Sequence, residues 1–303
     1  MDLRQLATFR SLARTLSFTR TAGELNYAQS SVTAQIQSLE EELGVPLFDR
    51  PGRRVALTDA GQRLLDYAEK ILALADEARI AVPGGEEPSG MLKISSNETQ
   101  LTYRLPEILQ EYRLRYPAVK LNLQQLPTRE LERGVSKGEV DVMFIMDNEF
   151  HAPGLEAALL RHEPVTLFTT PDHPLAKSPL VHPDDLEHET ILLTEVGCTY
   201  RSIFEHELEM AGVFLSSEHQ FGNIEVLKQS VLVGMGVGLL PEVVIARELA
   251  EGWLVPLRWY RPDFTVETYI VWHGERWMSP ALRAFIDLAQ EKIRAIDSRR
   301  EAL

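Results

Sequence analysis

The sequence predicts an α+β multidomain fold: a helical N-terminal block, a long helix, and an α/β remainder made of two similar halves. Three observations carry this expectation. Up to about residue 82, apolar residues recur at three- and four-residue steps, the spacing of helices that bury one face. From Met91 onward, short β-like runs alternate with helical stretches, which implies a parallel or mixed sheet covered by helices. The charge is also divided. The chain of 303 residues has a net charge of −14, yet residues 1–60 are neutral, so the remainder carries the whole deficit. A single core is not expected at this length, because domains usually hold about 100–200 residues.

Composition narrows the classes. At 44% hydrophobic and 25% charged the chain lies in the ordinary globular range. No apolar run approaches the roughly 18 residues of a membrane span. The start, MDLRQLATFR, lacks the charged, apolar and small-residue order of a secretory signal, and one cysteine gives no disulfide framework. A cytoplasmic location is expected. The negative balance repels a phosphate backbone at long range, so any nucleic-acid contact must be local to the neutral N-terminal block.

Taken in order, Leu6, Phe9, Leu12, Ala13 and Leu16 mark a first amphipathic helix. Ser17 suits the cap of a second, in which Ala22 and Leu25 share a face, and Asn26 tolerates a tight turn. A third helix carries Val32, Ile36 and Leu39 at i, i+4 and i+7. Three short helices with a tight turn between the last two make a helix-turn-helix. "GVPLFDRPGRRVALT" then reads as a hairpin, or wing, with Arg50, Arg53 and Arg54 at its tip. Thr58 can cap a fourth helix running to about Val82, in which Leu64, Ala68, Ile71, Ala75, Ala78 and Val82 form a heptad-like seam suited to pairing with a second copy. "PGGEEPSG" breaks that helix as a hinge.

In the remainder, "MLKIS", "VKLNLQ" and "VDVMFI" are the expected strands of one set, with a helix marked by Leu105, Ile108, Leu109 and Tyr112. "PVTLFTT", "TILLT", "GVGLLP" and "WLVPL" belong to a second, with helices from about Thr199 and Asn223. The strand near "VETYIVW" and the helix after Ser279 can close either half.

The polar face of the third helix suggests a purpose. A solvated helix normally displays Glu and Lys, whereas here Gln29, Ser30, Ser31, Thr33 and Gln35 face away from the apolar stripe, and no Glu or Lys occurs on the helix before Glu40. Such side chains suit the DNA major groove, which admits one helix and is read by donors and acceptors at base edges. Gln29 can pair with adenine and the Thr33 methyl can touch thymine. Serines can reach either phosphate or base, Ser17 and Thr19 are further DNA-binding candidates, and the wing arginines would hold the adjacent backbone or minor groove. A polar outer side that docks another protein is the plainer reading of the same spacing.

The residues also carry a resemblance. "LATFRSLARTLSFTRTAGELN", "SSVTAQIQSLEEELGVPLFDR" and "LTDAGQRLLDYAEKIL" resemble the N-terminal domain of LysR-type transcriptional regulators. "GEVDVMFI", "PDHPLA" and "VLVGMGVGLLPE" are similar, more diffusely, to that family's effector-binding domain. The resemblance implies a winged helix-turn-helix over 1–58, a linker and dimerisation helix with hinge over 59–90, and an effector-binding domain over 91–303. That last domain would hold two Rossmann-like subdomains of the periplasmic-binding-protein kind, 91–161 with 266–303, and 162–265. It further implies double-stranded DNA and a small-molecule effector as partners, and a homodimer through the linker helix that assembles into a homotetramer. Two departures stand out. The family often has Ser-Gln-Pro where this chain has Ala28, Gln29 and Ser30, and commonly a basic residue where Ala34 sits.

Effector contacts are expected in loops that follow strands, where helix N-termini offer free N–H groups to an anion. These loops supply Ser96, Asn97 and Thr99; Thr128; Gly197, Cys198, Thr199 and Tyr200; and Asn223. The same residue types are ordinary helix caps. A carboxylate or other small organic anion is the expected class, although Glu98 and Glu195 would oppose it if they faced inward.

Other functions fit less well. Cys198 has no second cysteine for an intramolecular disulfide, "GMGVG" lacks a nucleotide fingerprint, and His182 and His188 show no metal spacing. A solute-binding protein would explain the α/β halves but calls for export. No nucleophile-base pair or cofactor motif suggests an enzyme. No catalytic residue, cofactor or metal is therefore expected.

Overall fold

The computed structural model describes residues 1–49, 55–82, 87–261 and 264–300, without side chains at 73, 76, 77, 79–81, 128, 129 and 294–300. The chain divides into two compact units, one formed mainly of Met1–Glu86 and the other mainly of Glu87–Leu303.

The first unit begins with α1 (Leu3–Thr15), where Asp2 and Gln5 form a reciprocal capping box, and continues through α2 (Phe18–Leu25) and α3 (Gln29–Leu43). Ser17 caps α2 by accepting from Arg20 N, and Asn26 turns the chain toward α3 with φ of 54°. Asparagine tolerates this left-handed conformation better than most residues. Leu6, Phe9, Leu12, Val32, Ile36 and Leu39 are almost wholly buried. Each such side chain contributes roughly 1.5–3 kcal/mol relative to exposure, enough to fix the angle between short helices.

Past α3 the strands β1 (Phe48–Asp49) and β2 (Ala56–Leu57) pair antiparallel as the wing's base. Glu40 Oε1 accepts from Leu47 N and Phe48 N at 2.7 and 3.1 Å, so the first acid of α3 holds the entry to this hairpin. Thr58 caps α4 (Asp59–Ala81). Gly61 is required there by close approach, since a Cβ would lie 2.2 Å from Leu47 O.

Helix α4 corrects the expected seam. Ala68 is fully buried, and Leu64 and Ile71 pack against the core of α1 and α3. Of the expected seam, Ala78 and Val82 stay exposed, and Tyr67 and Leu74 are the further exposed apolar side chains.

The second unit is built on a nine-stranded mixed sheet. Its first part contains β3 (Gly90–Ser96), α5 (Glu98–Tyr103), α6 (Leu105–Arg115), β4 (Val119–Gln125), α7 (Thr128–Lys137) and β5 (Val142–Asp147). Strand β3 lies parallel to both β4 and β5. The chain then enters β6 (Leu155–Thr169), far longer than the expected strand at 164–170, followed by two 3-10 turns, Pro174–Lys177 and Pro183–Leu186.

The second part holds β7 (Thr190–Thr194), α8 (Thr199–Met210), β8 (Ser217–Phe221), α9 (Ile224–Leu232), β9 (Val237–Pro241), α10 (Glu242–Ala250) and β10 (Val255–Pro256). Strand β7 is parallel to β8 and β9, repeating the arrangement of the first part. Finally β11 (Thr265–His273) runs antiparallel between β5 and β6, and α11 (Pro280–Arg300) covers the first part.

Two main cores flank these strands. Phe285 meets Tyr112 and Phe144 edge-on at 5.2 and 6.0 Å in one, and Phe168, Phe204, Leu239 and Val266 share the other. In "GMGVG" the last two glycines serve packing, whereas Gly234 has open space where a Cβ would stand and instead turns the chain with φ of 83°. A Cβ on Gly238 would lie 2.6 Å from the Phe168 ring and 2.9 Å from Val231 of α9. Where β6 and β11 pair, Glu163 binds Arg104, and Gln100 Nε2 donates to Thr268 Oγ1, all of them buried.

Candidate functional site

In the first unit, α3 exposes Ser30, Ser31, Ala34 and Gln37 away from Val32, Ile36 and Leu39, and exposes Gln29 at its first turn. Thr19 Oγ1 donates to Gln29 Oε1 at 3.3 Å, tying the start of α3 to α2 and orienting the Gln29 amide. Thr33 is half-buried and its hydroxyl donates back to Gln29 O at 3.0 Å, a common helical bond that leaves its methyl free.

Gln35 behaves differently. Its Oε1 accepts from the buried Thr8 hydroxyl at 2.8 Å, so half of its amide is committed inside the unit. Ser17 is likewise committed as a cap. Ala28 stands at the cap of α3 and supplies no side-chain hydrogen bond, while its carbonyl accepts from Ser31 N and Val32 N. Arg20 and Tyr27, exposed on α2 and in the turn, join this surface without having been singled out from spacing. The wing-tip residues Arg50, Arg53 and Arg54 lie outside the described residues.

In the second unit, a cleft of about 520 Å³ opens where four strand ends meet. Strands β3, β4, β7 and β8 each present their carboxyl end to it. This is the position at which open α/β sheets bind ligands. Asn97, Glu98 and Thr99 follow β3, and Gln125, Leu126 and Pro127 close β4. Across from them lie Thr194, Glu195, Cys198 and Tyr200, then Phe221, Gly222, Asn223 and Ile224.

The structure separates the expected contacts. Asn97, Thr99, Cys198, Tyr200 and Asn223 line the cleft. Ser96 is fully buried and donates to Phe144 O, and Thr199 donates to Met146 O at 3.0 Å, so both hydroxyls are spent on β5. Gly197, with φ of 95°, turns the loop without lining the cleft. The Thr128 side chain lies outside the described residues.

The helix ends differ in a way that matters for a ligand. Asn97 accepts from Gln100 N and Asn223 accepts from Val226 N, so both are caps. Glu98 also reaches across the cleft. Its Oε1 accepts from Asn223 Nδ2 at 2.7 Å and its Oε2 from Ile224 N at 3.2 Å. A carboxylate of the chain therefore occupies the N-terminus of α9.

Helix α8 has no such carboxylate among the described residues: Cys198 stands at its cap, with the Tyr200 and Arg201 amides beside its sulfur. The first-turn amides of α8 also have no acceptor within the helix. Burial pushes the Cys198 thiol above its ordinary range and the fully enclosed Tyr200 hydroxyl well above its own, so both stay protonated. Thr194 Oγ1, at the end of β7, is buried against these two groups. Arg201 steadies this wall, donating to Thr194 O and, at 2.6 Å each, to Glu205 and to Glu218 of β8.

Among the described residues no group of three or more His, Cys, Asp and Glu is placed to hold a metal, and no helix is long and apolar enough to cross a membrane. A helix-turn-helix with a bare polar face, followed in the chain by an α/β unit with a ligand-sized cleft, defines a ligand-binding regulator of transcription. Comparison with known proteins gives the same class. Residues 3–62 match the bacterial regulatory helix-turn-helix protein, lysR family, and residues 85–294 match the LysR substrate binding domain.

The chain is 42% identical over 292 residues to the uncharacterized HTH-type transcriptional regulator YwqM of Bacillus subtilis (strain 168), spanning 96% of this chain and 99% of YwqM. It is 35% identical to the HTH-type transcriptional regulator GltR of the same organism, spanning 94% and 95%. Among solved structures, a full-length OxyR variant from Pseudomonas aeruginosa shares the fold with a TM-score of 0.72 at 23% identity, covering 97% of this chain and 95% of that one. CbnR, a LysR family regulator solved in complex with its target DNA, does so with 0.68 at 22%, covering 96% and 99%.

The chain belongs to the LysR family: it is a DNA-binding transcriptional regulator with a ligand-binding domain, not an enzyme.

Proposed function

We propose that this regulator recognises particular promoter sequences through α3 and responds to a small organic anion held between two α/β subdomains. The observation that carries the ligand class is the start of α8. A helix N-terminus has a positive dipole end and unpaired amides, and an anion stabilises both. Here that end opens onto a cleft of about 520 Å³, with the protonated Cys198 and Tyr200 and the Thr194 side chain beside it and no carboxylate of the chain in its first turn. The volume falls within the range of about 300–1,000 Å³ common to small-molecule sites.

On the DNA side, Gln29, Ser30, Ser31 and the Thr33 methyl face bases, with Thr19 and the start of α3 at the adjoining phosphate and the wing arginines on the flanking backbone. Gln35 and Ser17, each already engaged, position this surface. The working division is a DNA-binding domain over 1–58, a linker helix with hinge over 59–90, and an effector domain over 91–303, with subdomains 91–161 plus 266–303 and 162–265. Copies pair through the exposed stripe of α4 and assemble into a homotetramer in the cytoplasm. Binding at one site then biases the arrangement that engages DNA, which is an allosteric coupling.

The test begins with a thermal-shift screen of small organic anions, since a ligand that favours the folded state raises its stability. Footprinting the DNA upstream of the protein's own gene, with and without the hits, completes it. The reading expects a footprint whose extent or affinity changes with the hit. Stabilisation confined to amines and neutral compounds would overturn the anion assignment.

A further inference from the structure

Three helices of eight or more residues, α7, α8 and α9, start at the wall of one cleft, and the ends of α8 and α9 are treated unequally. Resting on the reading that the ligand is an anion, we infer that Glu98 is the residue that sets how many anionic groups the ligand brings. Its carboxylate already stands at the N-terminus of α9, accepting from Asn223 Nδ2 and Ile224 N. The α8 end holds no carboxylate of the chain among the described residues and begins beside Cys198 and the buried Thr194 and Tyr200.

Between α8 and α9 the cleft thus offers one open anion position and one filled by the chain itself. A ligand with a single carboxylate seats it at α8. A dicarboxylate that spans the cleft must place its second charge against Glu98 or expel Glu98 from α9. The first meets like-charge repulsion, and the second breaks two charge-assisted hydrogen bonds that also join opposite walls. Glu195, the other acid lining the cleft, is exposed and adds to the penalty without bonding to either helix. Groups that donate hydrogen bonds suit the Glu98 side, because its oxygens retain lone pairs. The selected class is a monocarboxylate whose far end carries an amide, hydroxyl or amine.

Succinate and succinamate test this, because they match in size and differ only in the charge at one end. Their affinities are measured calorimetrically on the full chain and on Glu98→Gln, in which an amide can still accept from α9 without the charge. The full chain is expected to prefer succinamate by about tenfold or more, and Glu98→Gln to lose most of that preference by gaining affinity for succinate. Glu195→Gln should shift the ratio less. An equal ratio in both proteins would overturn the role of Glu98 while leaving the anion reading intact. If neither protein bound either compound or any anion of the wider screen, the anion reading itself would fall. A loss of binding to both compounds in a well-folded Glu98→Gln would show that Glu98 holds the ligand rather than filters it.

Discussion

Glu163 has no exposed surface and grips Arg104 through two parallel hydrogen bonds of 2.7 Å each, from Nε to Oε1 and from Nη2 to Oε2. Arg161 Nε stands 3.2 Å from the same carboxylate. The pair joins β6 to the junction of α6 with α5, the helix that Glu98 begins. Removing one member of a buried pair strands the other charge, at a cost of about 3–5 kcal/mol. Glu163→Gln should therefore lower the stability of the effector unit by that order in denaturant melts. A loss under about 1 kcal/mol would mean that water reaches the guanidinium.

Thr8 and Gln35 support a different prediction. Their hydrogen bond lies behind the DNA-facing surface, so Thr8→Val should cost about 1 kcal/mol of stability in the N-terminal unit while leaving base preference unchanged. A variant with normal stability and altered sequence preference would place Gln35 in the groove instead.

The wing arginines act on the backbone in this account. Replacing Arg53 and Arg54 with Ala should weaken binding across unrelated sequences and reduce the slope of affinity against salt by about 1 for each lost phosphate contact. Binding that falls for one sequence alone would assign them to base edges.

Cys198 is predicted to be a poor nucleophile. Burial raises its pKa, so below its folded value the thiol stays protonated, and only the thiolate reacts. Alkylation by iodoacetamide at neutral pH should be slower than for free cysteine, rising only as the pH climbs beyond the ordinary thiol range. Fast modification at pH 7 would contradict the burial argument.

The contrast between these sites shows what a sequence can disclose. Local features were legible: the i, i+4, i+7 spacing of Val32, Ile36 and Leu39, the cap at Ser17 and the turn at Asn26 depend on neighbours within a few residues. Features that depend on partners far along the chain were not. Gln35 looked like its neighbours until Thr8, 27 residues away, proved to hold its amide. Ser96 and Thr199 had the composition of ligand contacts, yet β5 takes both hydroxyls. Thr194 was hidden as the last residue of an apolar strand.

The seam of α4 failed for a related reason. A heptad pattern records which positions are apolar, not whether the covering partner is another copy or the helix's own domain, and here Ala68 is claimed by the domain. Glu98 is the most instructive case. Its charge was noticed as opposing an anion, but only the fold shows that it crosses the cleft to Asn223 and Ile224.

The central claim, that the exposed face of α3 reads base edges, is tested most directly by measuring wild type and Gln29→Ala against a duplex selected from random DNA and its single-base-pair variants. Wild type should lose about 1–3 kcal/mol at the base pair that Gln29 contacts, and Gln29→Ala should lose that discrimination at one position while keeping the same salt slope. Identical profiles for the two proteins at every base pair would contradict it.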